Sequence, residues 1–156
     1  MSTRQIADIA VDVEAAADCV FDYLTDPARR PEWQSSLRRV DDVVTLGDRP
    51  GGVGSSWTDI TIVPGIAPRL EVIACVPHEH WAEIGHWRGV DARLTLDFDE
   101  TGDGTRVRAR ATLTVPWVAA PALPALTLFT PQALTADLRR AAGRICLLYT
   151  SPSPRD

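Results

Sequence analysis

Apolar and polar side chains alternate through RQIADIAVDVEA, with Ile9, Val11 and Val13 on one side and Asp8, Ala10 and Asp12 on the other. This is the period of a strand with one buried face. The period then changes. In AAADCVFDYLTDPARR the apolar residues Ala17, Val20, Phe21 and Leu24 recur at helical spacing until Asp26-Pro27 stops them. ARRPEWQSSL predicts a short helical turn presenting Trp33, and beyond it the chain reads as strands. These are expected at Leu37–Leu46, Ser55–Val63, Arg69–Val76, His80–Trp87, Ala92–Asp99 and Thr105–Val115, with Gly, Pro or Asp at each junction. The segment WVAAPALPALTLFTPQALTADLRRAAGRI returns to helical spacing, with Leu134, Leu138, Ala141 and Ile145 on one side and Asp137, Arg140 and Arg144 on another. Thr130-Pro131 either starts this helix or kinks a longer one.

The last hairpin can be set in register. If TGDG (Thr101–Gly104) is a four-residue loop, Glu100 faces Thr105, Asp99 faces Arg106 and Asp97 faces Arg108, while Leu94, Leu96 and Phe98 share a face with Val107, Ala109 and Ala111. The RVRAR run then has carboxylates across the ladder and reads as a solvated sheet face, not a nucleic-acid surface.

Composition narrows the class. The chain has 156 residues, 45% of them hydrophobic, no internal repeat and no low-complexity linker, which suits one compact domain. Net charge is −5, and all 16 basic residues are Arg, thinly spread, so no electrostatic footprint for nucleic acid stands out. The longest apolar run, Trp117 to Phe129, is short and broken by Pro121 and Pro124, so no integral membrane segment is expected. The polar N-terminus lacks the layout of a secretion signal, and the expected location is the cytoplasm. Cys19, Cys75 and Cys146 have neither Cys-x-x-Cys spacing nor an even count and read as buried thiols. Residues 146–156, CLLYTSPSPRD, can be reverse-translated into the adapter read of a short-read sequencing library. They are therefore expected to be a non-native tail, with the domain at 1–145.

An antiparallel sheet with one apolar face must cover it, and this order of elements leaves the terminal helix to do so. Ala74, Gly85, Ala92, Ala109 and Ala111 on the presumed inner faces admit two readings, a close helix approach or a cavity. VFDYLTDPARRPEWQSSL after an alternating first strand, GTRVRARATL in the seventh strand and LTADLRRAAG in the last helix resemble the polyketide cyclase/dehydrase and lipid-transport family, of the START/Bet v 1-like superfamily. The resemblance implies an α+β helix-grip fold: two short helices after strand 1, and a curved seven-stranded antiparallel sheet wrapped around a long C-terminal helix. It also implies a deep apolar pocket between sheet and helix.

Candidate site residues follow. Trp33, Trp57, Trp81 and Trp87 offer pocket-wall faces with one N–H donor each, as does core packing. Both faces of HWAEIGHW are apolar enough to leave two registers. The family pattern turns Trp81, Glu83, Gly85 and Trp87 inward, which makes Glu83 a carboxylate in an apolar cavity and the candidate catalytic acid or base. The other register puts Ala82 and Ile84 inside and Glu83 in water. Asp59, between Trp57 and Thr61, is the second polar candidate. Phe98 completes the expected wall, and Phe129 its helix side. His78, His80 and His86 would share a strand face but spread over about 27 Å, too far for one metal ion. No metal or cofactor is expected. PGGVGSS opens no helix and reads as a hairpin loop. The expected partner is a small hydrophobic ligand, aromatic, polyketide-like or lipid-like. The rival classes are an aromatase/cyclase or dehydratase using Glu83, and a module that binds a protein partner through the outer sheet face.

Overall fold

The computed structural model describes residues 1–149. Strand β1 (Ser2–Val13) leads into α1 (Ala17–Thr25), a single 3-10 turn (Pro27–Arg29) and the one-turn helix α2 (Arg30–Trp33). Then come β2 (Leu37–Val44), β3 (Ser56–Thr61), β4 (Arg69–Val76), β5 (His80–Trp87), β6 (Val90–Glu100) and β7 (Thr105–Val115). A second 3-10 turn (Trp117–Ala122) enters the long helix α3 (Leu123–Tyr149). The sheet is antiparallel, in the order β1-β7-β6-β5-β4-β3-β2, so each strand lies beside its sequence neighbour except the first, which closes onto the last.

The alternation of β1 does what its sequence dictates: Val11 and Val13 are buried while Asp8 and Asp12 are exposed. α1 inserts Val20, Phe21 and Leu24 into the core, where Phe21 meets Phe98 edge-on with ring centroids 5.1 Å apart. Helix α3 seals the sheet with Leu138, Ala141 and Ile145, all nearly inaccessible, so the face expected of these residues is the one buried. It runs through Pro131, which lies inside a longer helix and does not start one.

Some expectations need correction. The derived register of β6 and β7 is the one present, with Asp97 opposite Arg108 and Asp99 opposite Arg106. The ion pairs differ. Arg106 binds Asp12 at 2.9 Å and Arg108 binds Asp8 at 2.7 Å, both on β1, while Asp97 binds Arg110 and His80. β7 has a neighbour on each side, and β1 offers the better-placed carboxylates. Ala74 lies on the outer face, because a bulge between Val72 and Ala74 shifts the alternation of β4. His78 sits in the turn before β5 at φ +68 with its ring against Phe21, off the face of His80 and His86. The three cysteines are half-buried, not fully buried. Cys146 to Tyr149 continue α3, and the rest of the expected tail lies outside the described residues.

Candidate functional site

Local sequence rules place a cation beneath the sheet. The Asp26 side chain accepts from the Ala28 N–H at 3.0 Å and Pro27 pre-sets the backbone, so α1 stops and two tight turns reverse the chain. In the second turn Arg30 and Trp33, three residues apart, point inward together, and both are almost fully buried. Arg29 stays at the surface beside Glu32, which also accepts the phenol hydrogen of the fully buried Tyr23. Burial, and then Glu32, push the Tyr23 pKa far up, so this phenol stays neutral.

Two carboxylates meet Arg30 from the sheet. Asp59 on β3 receives Arg30 Nη2 at 3.0 Å and Nε at 3.3 Å, a forked pair, and also the Trp57 indole N–H at 2.9 Å. Glu83 on β5, two strands away across β4, receives Arg30 Nη1 at 2.9 Å through Oε1. The guanidinium lies 5.0 Å from the Trp57 ring centroid, and Trp57 stacks on Trp81 at 6.5 Å and 9°. Trp81 in turn donates to the Gly51 carbonyl at 2.9 Å, which fixes the β2–β3 loop beneath the pair.

Next to this cluster is a cavity of about 370 Å³ between the sheet and α3. Gly85, Ala92 and Ala111 leave the space; a Cβ on Gly85 would already lie 3.3 Å from the Leu70 side chain. Trp33 and Trp87 supply indole walls, and Leu134 the helix side. Of the expected residues, Trp33, Asp59, Glu83 and Trp87 line this cavity. Trp57 and Trp81 support it from behind, and Phe98 packs against Phe21 in the core. Phe129 is not part of the wall: it is 63% exposed, on the solvent side of α3. In its place Leu134 and Asp137 line the helix side, Asp137 tied by the Ser35 hydroxyl at 3.0 Å and by Arg140 at 3.2 Å. β5 adopts the register with Glu83 inside; its neighbour Ile84 pairs outward beside Arg93.

Two buried polar atoms of cavity-lining residues have no partner within the protein: Glu83 Oε2 and the Trp33 indole N–H. Glu83 is the chemically unusual group. Burial pushes its pKa above the ordinary range; Arg30 opposes that, and Asp59, sharing the same cation, adds to it. Burial likewise works against the charge of Arg30, but Glu83 and Asp59 outweigh it, so the guanidinium stays protonated. Among the described residues no group of three His, Cys, Asp or Glu side chains comes together as a metal site. No helix among them is long and apolar enough to cross a membrane.

A seven-stranded antiparallel sheet that grips one long C-terminal helix over an apolar cavity defines the helix-grip, Bet v 1-like class of ligand-binding folds. The chain belongs to the polyketide cyclase/dehydrase and lipid transport family, whose profile matches residues 4–145. Solved structures agree on the fold. The di-domain ARO/CYC StfQ from the steffimycin biosynthetic pathway superposes with a TM-score of 0.75 at 17% identity, over 92% of this chain and 52% of that one. The present chain thus spans about half of StfQ. Norcoclaurine synthase from Thalictrum flavum, in complex with dopamine and hydroxybenzaldehyde, superposes at 0.68 with 18% identity, over 97% of this chain and 90% of that one. A protein of unknown function from Staphylococcus aureus, SA2116, gives 0.73 at 9% identity, over 96% and 98%. No curated protein sequence matches the chain.

The residue that sequence reasoning missed is Arg30. Its signal was present: Arg30 precedes Trp33 by one helical turn, and two inward carboxylates need a cation in a chain without lysine.

Proposed function

We propose that the domain binds a small hydrophobic molecule, aromatic, polyketide-like or lipid-like, in the cavity between the sheet and α3, with its polar group against Glu83. The observation that carries this is the unpartnered, buried Oε2 of Glu83, a residue of a mostly apolar cavity wall. A buried acceptor without a donor costs free energy that a ligand group recovers. Apolar burial at about 25 cal/mol per Å² supplies the affinity, and the carboxyl group supplies the orientation. Native mass spectrometry of the purified protein tests this. A co-purified hydrophobe of a few hundred daltons, or uptake from a panel of sterols, fatty acids and polycyclic aromatics, is the expected result. A bare mass with no uptake from any of these overturns the reading.

A second reading has its own support. Burial shifts the pKa of Glu83 upward, the direction a cyclase or dehydratase acid requires, and the superposition on StfQ extends over 92% of this chain. Under that reading the cavity folds a reactive chain while Glu83 moves a proton. Turnover of a poly-β-ketone mimic by the wild type, abolished in Glu83→Ala, supports it; slow or absent turnover in both proteins rejects it.

A further inference from the structure

The Arg30 cluster is short of one positive charge. Arg30 faces both Asp59 and Glu83, and its Nε, Nη1 and Nη2 are all engaged, Nη2 additionally with Gln34 Oε1 at 3.4 Å. Two other charged residues line the cavity, and neither supplies the balance. Asp137 on α3 is itself paired with Arg140. Arg93 on β6 is exposed and shares the outer sheet face with Ile84, away from Glu83. Asp59 is held by the forked guanidinium and an indole N–H, so the uncompensated charge falls on Glu83, a cavity-lining residue whose buried Oε2 has no partner. In water-poor surroundings such a site has two neutral states: the carboxyl takes a proton, or a cation sits against it.

The walls suit the second. The indoles of Trp33 and Trp87 flank the space, and the site already holds one cation over an indole face, Arg30 above Trp57. The unpartnered atoms are complementary: an ionised Glu83 Oε2 accepts, and the Trp33 N–H donates.

We infer that the cavity selects protonated arylalkylamines, the ammonium group against Glu83 Oε2 and an oxygen substituent of the ring accepting from the Trp33 N–H. This rests on the proposed ligand-binding role of the cavity and narrows it to a ligand class. The bookkeeping of the step is an exchange: where the empty site holds Glu83 as the neutral acid, an ammonium ion arrives, the carboxyl proton leaves to solvent, and no covalent bond to the ligand forms. The raised pKa of Glu83 agrees with the protonated empty state. Affinity for the amine therefore rises with pH through the range in which Glu83 ionises, and binding in that range releases protons.

Isothermal calorimetry with tyramine and 4-propylphenol tests this, because the two differ by an ammonium group in place of a methyl. Titrations run across a pH series, in paired buffers of high and low ionisation enthalpy. The expected result is tyramine binding about tenfold or more tighter than 4-propylphenol, with proton release that fades once Glu83 is ionised in the free protein. Glu83→Gln is expected to remove the preference and the proton release but to keep 4-propylphenol binding. Trp33→Phe is expected to weaken both ligands a few-fold and keep the preference, which serves if the Gln variant folds poorly. Equal affinities, or tyramine binding without proton release at every pH, overturn the inference and leave the cavity as a site for neutral ligands. Binding of neither probe overturns the inference; whether the cavity takes any hydrophobe is then decided by the mass-spectrometric panel.

Discussion

The two faces of one sheet use the same ion pair, arginine with aspartate or glutamate, to opposite ends. On the outer face Arg106–Asp12 and Arg108–Asp8 bridge neighbouring strands in water, every partner at least one third exposed. Each charge there keeps most of its hydration, so the pairs hold Asp8 and Asp12 below the ordinary carboxylate range without committing the fold to them. On the inner face Arg30, Asp59 and Glu83 are stripped of water, with side chains no more than 7% exposed. There the cation is obligatory, because removal of Arg30 strands two buried carboxylates. Geometry is similar in the two places; hydration decides what a pair is worth.

The largest effect that would break this contrast is removal of the inner cation. Arg30→Met is expected to cost about 3–5 kcal/mol in urea unfolding, since both carboxylates lose their counter-charge. Replacing all three members with apolar residues of similar size is expected to restore most of that loss, which would sharpen the point that the cost lies in the stranded charges. The next effect is a difference in sign with pH. The folded-state pKa of Glu83 is raised above its ordinary 4.5, so the fold binds this proton more tightly than the unfolded chain does. Stability falls as pH rises from about 4.5 to the raised value and is level above it, and Glu83→Gln flattens that decline. Asp8 and Asp12 run the other way: their lowered pKa values contribute stability that is present above 3.8 and lost as pH falls below it. Unfolding midpoints measured across the acid range separate the two slopes. The smallest effect is on the outer pairs themselves. Asp12→Asn is expected to leave the midpoint nearly unchanged at neutral pH and to be indistinguishable from wild type in high salt.

The two faces also differ in how far the sequence disclosed them. The pairing of β6 with β7 was legible because a four-residue loop fixes a local register, and the helix face of Leu138, Ala141 and Ile145 because its period repeats. The partners of Arg106 and Arg108 were not, since Asp12 and Asp8 reach them only when the chain's first strand closes against its last. Ala74 escaped because a bulge inverts alternation without a sequence mark. At the site, Glu83, Asp59 and Trp33 could be nominated from their polar or aromatic character, but the inward register of β5 came only with the family pattern. Arg30 and Arg29 are adjacent and chemically identical, and only the tertiary turn makes one a buried hub and the other a surface group. Phe129 shows the reverse error: apolar character suggested a wall position, but its place on the solvent side of α3 leaves the ring exposed.

The parallel stack of Trp57 and Trp81 has an optical consequence. Two indoles 6.5 Å apart and nearly coplanar in tilt couple their ultraviolet transitions, and the coupling vanishes once the rings separate. Because Arg30 lies over one of these rings and Gly51 anchors the other, the stack persists only while the inner charge cluster and the β2–β3 loop are both in place. The protein thus carries its own chromophore for the integrity of the cavity floor, readable by circular dichroism without any label.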